Sequence, residues 1–108
     1  MKLMPTELAD TFPKLYEQQD KADDAVVHAK YFTPDSSWTW YCLEYCSESG
    51  DMFAWVDSGY CQEYGYVNLR EMESVRGPLG VRIERDLYLP AGFTIADAKR
   101  LHRTEQSG

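Results

Sequence analysis

The stretch from Trp38 to Cys46 alternates two unlike faces, and both of them carry aromatics. Trp38, Trp40, Cys42, Glu44 and Cys46 fall on one side, Thr39, Tyr41, Leu43 and Tyr45 on the other, because successive side chains of a strand point to opposite faces. A strand that is aromatic on both faces must be covered on both, so it belongs at the centre of a sheet. Ser47-Glu48-Ser49-Gly50-Asp51 reads as a hairpin loop, and Met52–Val56 returns as the next strand. Upstream, the β-branched and aromatic run Ala25–Phe32 predicts a strand, joined to Trp38 by the turn residues Thr33-Pro34-Asp35-Ser36-Ser37. An antiparallel meander of at least three strands follows.

The flanks supply helices and further strands. Thr6 reads as the N-cap of a short helix limited by Pro13, and Gln18–Asp24 as an exposed polar loop. Tyr60–Val67 adds a strand after a loop, and Asn68 caps a short helix over Leu69–Val75. Arg76-Gly77-Pro78-Leu79-Gly80 must turn, and Val81–Leu89 alternates as an edge strand. Thr94 starts a last helix running to about His102. The expected fold is α+β: a mainly antiparallel twisted sheet of four to five strands flanked by N- and C-terminal helices. Residues 1–103 form one domain and 104–108 a frayed tail.

Two blocks, Y-F-T-P-D-S-S-W-T-W-Y from Tyr31 to Tyr41 and E-S-V-R-G-P-L-G-V-R-I-E-R-D-L-Y from Glu73 to Tyr88, are long enough to be specific. Together they resemble the domain of unknown function 2958 family, small proteins of plasmids, phages and other mobile elements. The resemblance runs from the Thr6 helix to about Leu89. It implies a mobile-element setting and no chemistry, since the family brings no catalytic or binding residues to carry over.

Charge narrows the partners. Residues 1–68 hold twelve acids against four lysines, and residues 69–108 hold six acids against seven bases, for a net −7. Such a field repels nucleic acid and favours a basic protein surface. No apolar run is long enough to span a bilayer or to act as a secretory signal, so a cytosolic protein is expected. Three cysteines without a signal peptide argue for reduced thiols, and their spacing does not suit zinc; no metal or cofactor is expected.

Candidate chemistry is sparse. Asp35, Ser36 and Ser37 with His28 lack a nucleophile elbow, and turn-forming side chains are the ordinary reading. Glu84 and Asp86 beside Arg82 and Arg85 suggest cross-strand ion pairing before catalysis. Arg76, set before a rigid Gly-Pro turn, is placed to contact an anion or ligand. A small ligand-binding domain or enzyme using Arg76, Glu84 and Asp86 is therefore one alternative, and a replication or maintenance accessory another. The favoured reading is non-enzymatic: an anti-defence inhibitor, anti-CRISPR or anti-restriction, whose carboxylates imitate a nucleic-acid backbone on a host nuclease complex. Its expected contacts are Asp20, Asp23 and Asp24 in the loop and Glu44, Tyr45, Glu48 and Asp51 around the hairpin.

Overall fold

A computed structural model describes the backbone of residues 2–107 and the side chains of residues 2–102. Five antiparallel strands form one sheet: β1 (Ala29–Phe32), β2 (Thr39–Tyr45), β3 (Asp51–Asp57), β4 (Gln62–Asn68) and β5 (Glu84–Arg85). Their order is β4-β3-β2-β1-β5, so β2 is the central strand, as its two aromatic faces require. Helices α1 (Thr6–Ala9), α2 (Leu69–Ser74) and α3 (Ile95–Ser107) flank the sheet, and a 3-10 turn spans Gln19–Asp24.

Each face of the sheet buries its own cluster. On one, Tyr31, Trp40, Cys42, Met52 and Ala54 pack with the N-terminal Leu3 and Met4, with Met72 of α2 and with Ile83. On the other, Tyr41, Leu43 and Trp55 pack with Ile95 and Ala98 of α3 and with Ala25 and Val27. Burial of the larger of these side chains, each worth about 1.5–3 kcal/mol when complete, is what a chain this short has to set against its ordering entropy.

The helix ends follow their residues. Asn68 Oδ1 accepts from Arg70 N at 3.0 Å and caps α2 as expected. Thr94 and Asp97 bond reciprocally, Thr94 N to Asp97 Oδ2 at 3.0 Å and Asp97 N to Thr94 Oγ1 at 3.3 Å, a capping box that starts α3. α3 runs to Ser107, past the expected end near His102; Gly108 lies outside the described residues. At the other end, Pro5 rather than Thr6 occupies the cap of α1.

Three strand expectations need correction. The Ala25–Phe32 run is strand only from Ala29, because Val27 packs on one face of the sheet and Ala29 on the other, which breaks the alternation. Val26 instead makes a single bridge to Thr94. Val81–Leu89 is ladder strand over Glu84–Arg85 only, with a single bridge from Arg82 back to Arg76; Asp86 Oδ1 accepts from Tyr88 N at 2.8 Å and turns the chain away. The third correction lies inside β2. Cys42 pairs with Ala54 and Glu44 with Phe53, leaving Leu43 as a bulge that reverses the parity of everything after it.

His28, half-buried against Phe12 with ring centroids 5.4 Å apart, gives the fold a pH dependence. Burial pushes its pKa below the ordinary histidine value, and Lys21 pushes the same way. The unfolded chain therefore takes the proton first, at about pH 6.5, and stability falls as the pH drops from there through the folded value. Denaturant midpoints at pH 7.5 and 5.5 should show a loss in the natural chain that His28→Gln reduces; an equal loss in both would contradict this role.

Candidate functional site

The bulge determines what surface the chain presents. Glu44 moves to the α3 face and is completely buried. Its Oε1 accepts from Tyr16 N at 2.8 Å and its Oε2 from Gln18 N at 2.7 Å. Gln18, itself buried, donates through Nε2 to the Leu43 and Val26 carbonyls, both at 2.9 Å, and accepts from Val26 N at 2.9 Å. The bulged Leu43 carbonyl, freed from the ladder, is thus the anchor for the Tyr16–Asp24 segment. Tyr16 is held there at φ 76°, a left-handed conformation costly for a residue with a Cβ.

Glu44 is therefore not a contact residue. The expectation that it faces a partner fails because a buried carboxylate serves two amides, and it organises the surface from below. Tyr45 is displaced by the same shift. It lies on the opposite face, half-buried, with its ring 5.8 Å from Phe12. Neither belongs to the acidic turn's outer surface.

Other aromatics take that place. Tyr16, Tyr64 and Tyr66 are 71%, 38% and 52% exposed. Phe53 stacks on Tyr64 at 5.6 Å and lies 5.2 Å from Tyr66. Gln19 Nε2 donates to the Tyr66 hydroxyl at 2.6 Å, tying the turn to the sheet. The Tyr16 phenol is pushed above its ordinary pKa by the neighbouring Tyr66 phenol first, with Glu44 and Asp51 adding to it. On the far side Lys99 Nζ sits 2.6 Å from Asp23 Oδ1 and 5.7 Å from the Tyr64 ring centroid. Asp51, Tyr16, Tyr66, Tyr64 and Asp23 therefore form one continuous surface, with Asp20 and Asp24 exposed on the same turn.

The remaining candidates sort plainly. Glu48 is exposed in the hairpin loop, while Asp51 is half-buried and accepts from Asn68 Nδ2 at 3.0 Å. The Arg76 guanidinium donates to its own neighbours' carbonyls, Ser74 O at 3.2 Å and Val75 O at 3.3 Å. A Cβ at Gly77 would overlap the Asp35 carboxylate, so a side chain there would displace the group whose Oδ2 accepts from Leu79 N at 2.8 Å. Glu84 and Asp86 line a cleft of about 300 Å³ with Phe32, Arg85, Leu87 and Tyr88, without Arg76. Asp86 pairs with Lys30 at 3.7 Å, the cross-strand ion pair expected of that segment.

One arrangement escaped sequence reasoning. Ser36 and Ser37 share a cleft of about 400 Å³ not with His28 but with Asp57 and His102, and Trp38 and Thr39 also line it. Asp57 Oδ2 lies 2.6 Å from His102 Nδ1, and the Tyr41 hydroxyl 2.7 Å from His102 Nε2. Both ring nitrogens are engaged. Ser37 Oγ donates to Ser58 O at 2.8 Å, and Ser36 Oγ bonds Thr33 Oγ1. With Tyr41 buried, this chain of bonds latches α3 to the sheet. Nothing local in the sequence signals it, because its members come from β2, β3 and α3.

The family model described as a protein of unknown function, DUF2958, matches residues 3–107. The chain belongs to this family. For this DUF2958 chain the match extends the resemblance of the two blocks over both sheet faces and α3. No curated protein and no solved structure matches it. Among the described residues of the DUF2958 domain, no helix is long and apolar enough to cross a membrane.

Proposed function

We propose that this chain is a non-enzymatic, acidic protein-binding domain of a mobile element, acting in the host cytosol as an anti-defence inhibitor. In this reading it covers a nucleic-acid site on a host nuclease complex, of the CRISPR or restriction kind, and does not itself bind nucleic acid. The observation that supports it is the single surface joining Asp20, Asp23, Asp24 and Asp51 to the exposed rings of Tyr16, Tyr64 and Tyr66. Carboxylates give such a surface its steering and its register, and tyrosines give it anchoring contact at low entropic cost. Glu48 stands at the hairpin end of the same acidic region. Tyr64 and Tyr66 replace Tyr45 as the anchors, and Glu44 supports the surface without touching the partner.

Charge sets the test. Tagged chain is used to capture its partner from host lysate at low and at high salt, beside an Asp20→Lys/Asp24→Lys variant. The expected catch is a nucleic-acid-handling complex, shed at high salt, with an association rate at least about tenfold lower for the variant. Capture indifferent both to salt and to the charge reversal contradicts the reading.

A further inference from the structure

The two edges of the sheet are built differently. β5 is two residues long, and Asp86 turns the chain away after it, which blunts that edge. β4 is seven residues long, pairs with β3 in unbroken register from Gln62 to Asn68, and holds no proline, lysine or bulge. Among the described residues no strand lies beyond it.

The ladder fixes which groups point outward. Leu69 N donates to Gly50 O at 2.8 Å at one end, and Ser58 N to Cys61 O at 3.1 Å at the other. Antiparallel alternation between those ends turns Glu63, Gly65 and Val67 toward β3. The N–H and C=O groups of Gln62, Tyr64 and Tyr66 then face away from the sheet. Beside this edge is a largely apolar pocket of about 230 Å³, lined by Tyr64, Phe53, Leu43, Ala22, Gln18 and Gln19.

From these observations we infer that β4 is the docking edge for an extended, basic segment of the partner, which adds to the sheet as a sixth strand. Main-chain bonds to Gln62, Tyr64 and Tyr66 hold it, and an apolar side chain enters the pocket beside Tyr64. Basic side chains of the segment face Asp20 and Asp24 on one side and Glu63 on the other, Asp23 being already paired with Lys99. Charge chooses this occupant over a second copy of the chain, since two copies would bring two −7 molecules together. The inference rests on the protein-binding reading and names the element that the partner supplies.

The probe is a synthetic nine-residue peptide with a central valine for the pocket and lysines at the flanking positions of both faces, added to isotope-labelled chain up to millimolar concentration. Hydrogen exchange at single amides should slow at Gln62, Tyr64 and Tyr66, and change little at Glu63, Gly65 and Val67, which are already bonded to β3. Gln62→Pro removes an outward donor at the first strand position, where proline is tolerated, and should weaken the peptide at least tenfold with the far-ultraviolet spectrum unchanged. Slowed exchange confined to the Gln19–Asp24 turn, no binding at millimolar peptide, or a dimer that protects the same amides without peptide would each overturn strand addition. The protein-binding reading fails separately: lysate capture that Gln62→Pro leaves intact sinks the docked strand alone, whereas peptide binding without any lysate partner sinks the wider reading.

Discussion

Replacing Glu44 by alanine should lower the stability of the fold by about 3–6 kcal/mol, the sum of two hydrogen bonds to a charged group at about 1.5–3 kcal/mol each. For a domain this size that is a fall in melting temperature of more than about 12 °C. The reason is asymmetric. The carboxylate is deep inside the protein, and so is its bond to the Gln18 amide, so its loss leaves that donor without an acceptor where water does not reach, and frees the part-buried Tyr16 amide as well. Glu44→Gln keeps the shape but offers one acceptor oxygen for two donors, and its cost should be about half. Because Glu44 holds Tyr16 in its left-handed conformation, Glu44→Ala should also loosen the 16–24 segment and weaken partner binding without altering one exposed atom. An alanine variant within about 1 kcal/mol of the natural chain would show that the segment is held by something else.

Asp57→Ala should be of similar size, about 3–6 kcal/mol, since its carboxylate likewise accepts two hydrogen bonds at about 1.5–3 kcal/mol each. Asp57 Oδ1 accepts from Gly59 N at 2.7 Å while Oδ2 meets His102, so the variant loses a loop bond and the latch on α3 together. The effect should be uneven in space. Amides of α3 should exchange faster than those of β2 and β3, because the helix loses its polar tie while Ile95 and Ala98 still pack. Asp57→Asn, which keeps an oxygen for Gly59 or for His102, should lie between. Uniform acceleration across the sheet and α3 would mean that the helix does not open on its own.

Much of the architecture could be read from residue pattern. The two aromatic faces of Trp38–Cys46 require a central strand, Gly50 permits the hairpin, and Asn68 and Thr94 mark the helix starts that the structure shows. What pattern could not show is the one-residue bulge at Leu43. Alternation assumes a period of two, and a single inserted residue exchanges the faces of Glu44 and Tyr45. Both candidate contacts were misplaced for that one reason. The tyrosines that replace them did leave a trace: Tyr64-Gly65-Tyr66 puts two rings on one face of a strand with a bare position between. The Asp57–His102–Tyr41 latch left none, since a contact between β3 and the middle of α3 is made by tertiary packing alone.

Competition tests the central claim most directly. With the captured host complex immobilised, duplex DNA or the complex's own nucleic-acid substrate is added in increasing amounts to the bound chain. The account predicts mutual exclusion: nucleic acid releases the chain, the chain releases nucleic acid, and the Asp20→Lys/Asp24→Lys variant competes poorly. A stable assembly holding chain and nucleic acid together would contradict it.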